Sequence, residues 1–212
     1  MNSHPLILTA AEVRAVLSGT KTQHRVRVKP QPVQVERYLH GQPTDLTDAK
    51  GTVMRGPDGK GWACCGPFRC PFGEPGDLLW VREAWAAPVV YNLASPAAIP
   101  PWAGAWWRAD SARPLSESEL RWRSPLSMPR WASRLTLAVE SVRVQRVQGI
   151  SEEDARAEGV TPFPRDPEGD CWTDGTHRTA FNYAWNAKYG SRAWDRNDWV
   201  FALTFKCTEG ER

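Results

Sequence analysis

Gly19-Thr20-Lys21-Thr22-Gln23-His24-Arg25-Val26-Arg27-Val28-Lys29-Pro30-Gln31-Pro32 places four cations and a histidine within the nine residues from Lys21 to Lys29. Charge at that density repels itself and is costly to bury unless something anionic or polar meets it. A glycine-led turn that delivers Lys, Thr, Gln, His and Arg together reads as a site. The flanks fix the local architecture. Upstream, Pro5-Leu6-Ile7-Leu8 reads as a first strand, and Thr9 as the N-cap of a helix from Ala10 to Leu17. Glu12 falls in the first turn of that helix, and Gly19 closes it. Downstream, Val26 and Val28 mark a strand that must stop before Pro30.

Charge is uneven along the 212 residues. Residues 13–37 hold six Lys/Arg against Glu36, and residues 121–146 hold six arginines against Glu140. Residues 151–175 reverse the sign, with eight acids against Arg156 and Arg165. This polarity is the footprint of a phosphate-bearing partner or of a solvated face with ordinary ion pairs. Twelve tryptophans exceed what one core of this size needs, so several are expected to line a cleft or pack beneath long loops. Flat rings next to arginines also suit base stacking.

No apolar run approaches the ~18 residues that would span a bilayer, and no charged leader precedes an apolar stretch. The expectation is a cytoplasmic chain with reduced thiols, no membrane partner and no cofactor. Cys64, Cys65 and Cys70 lie near one another with His40 upstream, but adjacent Cys64-Cys65 lacks zinc-ligand spacing. No metal is therefore expected.

Residues 38–75 are rich in Gly, Pro and Asp, residues 86–128 in Pro, Ala and Trp, and both stretches read as irregular. Leu78 to Trp85 reads as a buried strand behind the turn Pro75-Gly76-Asp77. From Arg134 to Val147 apolar residues alternate, with a break of phase at Glu140-Ser141 that predicts a bulge or two strands. Ser151-Glu152-Glu153-Asp154 predicts a capping box and a helix to Glu158, stopped by Gly159. Thr179–Tyr189 carries a helical face of Phe181, Ala184 and Trp185. Trp199, Phe201, Leu203 and Phe205 line one side of a terminal strand. The reading is α+β: a small mixed β-barrel with peripheral helices, one domain over 1–212, with insertions near 38–63, 86–120 and 161–178.

Several motifs stand in a telling order. After the first helix come Gly-x-Lys-Thr-x-x-Arg and Lys-Pro-Gln-Pro. Cys70-Pro71-Phe72-Gly73-Glu74-Pro75-Gly76-Asp77 and Trp80-Val81-Arg82-Glu83 follow, then Met128-Pro129-Arg130-Trp131-Ala132-Ser133-Arg134 and Ile150-Ser151-Glu152-Glu153-Asp154-Ala155. This order resembles the ASCH family in its phage and prophage form, over most of the chain outside the insertions. The resemblance implies a PUA-like barrel that recognises RNA or a modified base in a cleft. It also implies an alternative activity. Small ASCH members hydrolyse the amide of N4-acetylcytidine with a Lys, a Thr and a later Glu, and by position these are Lys21, His24 and Glu158 here. Thr20 stands where the family has Arg, and Val26 where the phage form has a second Arg. Ribonuclease activity, attributed to some relatives, is a third reading.

Amide hydrolysis needs a nucleophile or activated water, a base, and donors for the oxyanion. With His24 in the hydroxyl's place, the imidazole is a candidate base for water, paired with Glu158, with Lys21 as oxyanion donor. Arg25 and Arg27 are candidates to tune Lys21, and Thr22 is a substitute nucleophile that strand alternation points away from it. Glu158 near a helix C-terminus opposes the macrodipole, so it needs another reason to be there. Gln23 and Arg82 join Thr22, Arg25 and Arg27 as candidate base or phosphate contacts. Trp131 between Arg130 and Arg134 is the stacking candidate, with core packing as its rival.

Overall fold

Thr9 starts the first helix as its sequence requires: its hydroxyl accepts from the Glu12 amide, and the Glu12 carboxylate accepts from the Thr9 amide at 2.8 Å. This reciprocal capping box closes two of the helix's open donors. In chain order the elements are β1 (Ser3–Ile7), α1 (Ala10–Leu17), β2 (Gln23–Arg27), β3 (Gln34–Leu39), β4 (Gln42–Thr47), β5 (Val53–Arg55), β6 (Leu78–Arg82), β7 (Trp85–Ala86), β8 (Trp106–Trp107), β9 (Thr136–Arg146), α2 (Glu152–Ala157), α3 (His177–Tyr189) and β10 (Trp199–Thr208). The structure, a computed structural model, describes residues 1–29, 31, 34–39, 42–47, 53–55, 70–110, 120–162 and 175–208; for β3, β4 and β5 it describes the backbone alone. His40, Cys64 and Cys65 lie outside the described residues.

A mixed five-stranded sheet in the order β1-β6-β9-β10-β2 organises the chain. β1 runs parallel to β6, and the other neighbours are antiparallel. Where a closed barrel was expected, the described strands form an open sheet with β1 and β2 at its ends. The reason is local. The chain turns from β1 straight into α1, and Val13 and Val16 join Leu6 and Leu8 in the core, so side chains rather than ladder hydrogen bonds fill this side. β3, β4 and β5 form a separate antiparallel sheet; β3 begins ahead of the stretch read as irregular, and β4 and β5 lie inside it, where polar residues mask the alternation.

β9 is a single strand, and the phase break predicted in it is a bulge. Thr204 pairs with Ser141 but Phe205 with Val139, leaving Glu140 as the extra residue. The alternation of β10 then divides two cores. Trp199, Phe201, Leu203 and Phe205 pack with β1, α1, β6 and β9 on one face. Val200 packs on the other face with Ala155 of α2 and Phe181 and Trp185 of α3. Glu152 ties those two helices together, accepting from the backbone amides of His177 and Arg178 at 2.7 and 3.0 Å. α3 begins at His177, two residues before the predicted Thr179, behind the N-cap Thr176.

A third cluster sits beyond β6, around Trp85, Ala87, Ile99, Met128 and Ala132. The segments between 88 and 103 form short 3-10 turns rather than longer elements, and β7 pairs with β8. No helix among the described residues is long and apolar enough to cross a membrane.

Candidate functional site

β2 is where the two faces of the sheet meet at an edge. His24, Val26 and Val28 turn toward α1, while Gln23, Arg25 and Arg27 turn toward α2 and α3. The open rim of β2 is covered by the chain leaving α2: the Thr22 amide donates to the Ala157 carbonyl at 2.8 Å, and Lys21 and Glu158 form a β-bridge. Covering the edge this way satisfies groups that would otherwise be open to another strand. It also brings residues 137 apart in sequence into contact.

Gly159 permits the approach. Its φ is +75°, and a Cβ there would lie 2.8 Å from the Lys21 Cβ and 2.9 Å from the Ala15 Cβ. Only glycine fits both the backbone conformation and the space.

Four ionisable side chains are buried together: Lys21 at 2 % exposed, His24 at 3 %, Arg25 at 1 % and Glu158 at 6 %. Charged groups are buried to this degree only when paired. Lys21 Nζ donates to the Glu158 carbonyl and to Glu158 Oε2, both at 2.9 Å. Arg25 Nη1 donates to Glu158 Oε1 at 2.9 Å, and Nη2 to Asp154 Oδ2 at 2.7 Å. Arg143 and Gln23 complete the shell of Asp154 at 2.9 and 2.8 Å. Burial alone would raise the Asp154 carboxyl, but the Gln23 hydrogen bond and the Arg25 and Arg143 charges outweigh it and lower its pKa.

Ser151 caps α2 as predicted, accepting from the Asp154 amide. The reciprocal half of that capping box is missing, because the Asp154 carboxylate turns to Arg25 instead. Glu158 stands at the C-cap, one residue past the last turn, and the two cations answer why a carboxylate sits against the helix dipole there.

A cavity of about 750 Å³ opens over this cluster, within the ~300–1,000 Å³ usual for small-molecule sites. Its polar floor is Lys21, His24, Arg25 and Glu158, and Glu12 enters from α1. Phe181, Ala184 and Trp185 of α3 supply an apolar wall, with Lys188 beyond them. Burial first, then the charges of Lys21, Lys188 and Arg25, hold the His24 imidazole well below its ordinary 6.5. The ring is therefore neutral at pH 7 and able to accept a proton. Lys21 spends two of its three N–H donors on Glu158, and the third has no hydrogen-bond partner among the described residues. Both Glu158 carboxylate oxygens are occupied, which makes Glu158 an anchor for Lys21 and Arg25 rather than a free base.

Of the residues read as site candidates, Lys21, His24, Arg25 and Glu158 converge on the cavity, with Gln23 one step behind through Asp154. Thr22 is exposed and turned away, as alternation predicts. Arg27 leaves the cluster: its Nε lies 2.8 Å from Asp198 and its guanidinium sits over the Tyr189 ring. Arg82, Arg130, Trp131 and Arg134 do not line this cavity; they belong to the region around β6 and the third core. Arg82 and Arg130 both lie over Trp80, at 4.6 and 5.6 Å from the ring centroid. Trp131 packs edge-on to buried Trp85, the packing alternative, and Arg134 bonds Glu83 and Asp110.

Sequence reasoning left Glu12 out of the site, along with Asp154 and the α3 residues Phe181, Trp185 and Lys188; for Glu12 a local pattern was there to see. Its signal was the spacing Thr9-x-x-Glu12, which accounts for one carboxylate oxygen and is silent about the other. Comparison with family models, with curated proteins and with solved structures returns no match to this chain.

Proposed function

We propose that the cleft between α1, β2 and α3 receives a single modified pyrimidine base, as a nucleoside or splayed from an RNA strand. The observation that carries this is the pairing of an apolar aromatic wall, Phe181 and Trp185, with a buried floor of hydrogen-bonding groups in one cavity of nucleoside size. A flat heterocycle with polar edges matches both surfaces. The motif order that resembles the ASCH family supports the same class of ligand, and the PUA-like relationship belongs to this proposal. Titration with a panel of modified pyrimidine nucleosides, and with short RNAs carrying them, tests it. Binding should weaken at least tenfold in Lys21→Ala. A panel bound no better by the native protein than by that variant removes the cleft as the binding site.

A second reading has its own observation: a neutral imidazole and a lysine donor face the same space. This arrangement suits hydrolysis of an acyl group on the exocyclic N4 of a cytosine. The His24 ring takes a proton from water as the water oxygen bonds to the acyl carbon. Lys21 donates to the oxygen that becomes negative. The C–N bond then breaks as the proton passes from His24 to the exocyclic nitrogen, releasing the acid and the amine. Mass spectrometry of N4-acetylcytidine incubated with the protein would show cytidine, and a yield equal to that of Lys21→Ala would sink this substrate. Phosphodiester cleavage, the third expectation, gains no specific observation.

A further inference from the structure

The two oxygens of the Glu12 carboxylate face different partners. Oε2 accepts the Thr9 amide at 2.8 Å, which fixes the side chain against the first turn of α1. Oε1 points inward, 3.6 Å from His24 Nδ1 and 4.0 Å from Lys21 Nζ. His24 Nδ1 is cut off from solvent, in a side chain only 4 % exposed, and has no hydrogen-bond partner among the described residues. A buried ring nitrogen without a partner is costly, and among the described residues Glu12 Oε1 is the one carboxylate oxygen set at its edge. Glu158, the partner expected from sequence, has both oxygens committed to Lys21 and Arg25.

We infer that Glu12 is the positioning residue for His24: it holds the imidazole as the Nδ1–H tautomer and so presents Nε2 to the cleft as the proton acceptor. This deepens the hydrolysis reading of the cleft and rests on it. A Glu–His pair working on water takes the place of the attacking hydroxyl that the resembled family has at this position. The separation of 3.6 Å is long for a hydrogen bond, as such contacts are before substrate closes a site. Other charged groups facing the ring are Lys21 and Arg25 beside it on the β2 segment, Lys188 from α3, and Glu158 after α2. The three cations keep the ring neutral, and a carboxylate at Nδ1 decides which nitrogen carries its one proton.

The test reads the tautomer directly, by nitrogen-15 NMR of the His24 ring in the 212-residue chain at neutral pH, assigned against His24→Gln. Nδ1 should carry the proton in the native protein. Glu12→Ala should shift the ring toward the Nε2–H form, and Glu12→Gln, whose amide oxygen still accepts, should restore Nδ1–H. Thr9→Ala controls for the lost helix cap and should leave the tautomer alone. With N4-acetylcytidine as probe, Glu12→Ala should lower kcat by ~10²-fold with KM little changed. An Nε2–H ring in the native protein, or an Nδ1–H ring indifferent to Glu12→Ala, overturns the inference. The tautomer is read without substrate. A held tautomer without turnover therefore counts against the hydrolysis reading alone.

Discussion

The β2 edge and the tryptophan-rich region beyond β6 carry the same residue types and use them differently. At the β2 edge, Lys21 and Arg25 meet carboxylates from α2 and its C-cap, and an open cavity remains above them. Beyond β6, arginines are fitted onto ring faces and backbone carbonyls. Arg123 lies over Trp85 and donates to the Tyr91 carbonyl, and Arg134 lies over Trp107 while bonding Glu83 and Asp110. The first arrangement leaves room and donors for a ligand. The second fastens a part of the chain that has little regular structure to hold it. Basic and aromatic composition therefore does not tell the two regions apart, nor does a buried carboxylate, since Glu83 is one; what separates them is the open space above the β2 cluster.

The largest effect should come from cutting the β2 cluster. Arg25→Met takes one cation from each of the Glu158 and Asp154 carboxylates, leaving them to Lys21 and Arg143, and should cost about 3–5 kcal/mol in denaturant unfolding, with ligand binding lost as well. Arg134→Met sharpens the contrast. It leaves Glu83 buried without its cation, a carboxyl that burial already pushes up against the pull of Arg134. A loss of about 3 kcal/mol is expected, but affinity for the cleft's ligand should hold at temperatures where the variant is folded. Equal losses of affinity in both variants would erase the distinction between the regions.

Gly159→Ala should cost about 1–3 kcal/mol through its positive φ and the clash with Lys21, and should weaken ligand binding more than its stability loss explains. The pH dependence is smaller and has a definite sign. The folded pKa of His24 lies below 6.5, so below that pH the unfolded chain binds the extra proton and the folded one resists it. This contribution is complete above 6.5 and is lost as pH falls toward the folded value. His24→Gln should flatten that slope in thermal melts taken across the range. Smallest of all, Arg130→Ala removes an exposed cation over Trp80 and should change stability by about 0.5 kcal/mol or less. A large loss there would show that the second region holds more than its own fold.

Much of this was legible in the chain because the signals are local. Thr9 and Glu12 announce α1, Gly19 its end, the slip of phase at Glu140 the bulge, and Trp199 to Phe205 the buried face of β10. β3, β4 and β5 were not legible, since strands such as Gln-Pro-Thr-Asp-Leu-Thr carry no apolar alternation. The site was half legible. Lys21 and His24 stood out by density, and Glu158 by resemblance and by its place against a helix dipole. Arg82, Arg130, Trp131 and Arg134 gave the same kind of signal, and only the fold, with β6 three places from β2 in the sheet, shows that they do not line the β2 cavity.

The amino-acid sequence by itself determined where the chain turns, caps and alternates, because those depend on neighbours within a few residues. It also determined that Lys21, His24 and Arg25 travel together on one short segment. Tertiary structure alone decided which carboxylates they meet. Glu158 reaches Lys21 through a bridge between distant segments, Asp154 abandons its own helix cap for Arg25, and Glu12 turns a capping residue's spare oxygen toward His24. Burial then decides the chemistry, since the same histidine in water would titrate near its ordinary value and here stays neutral.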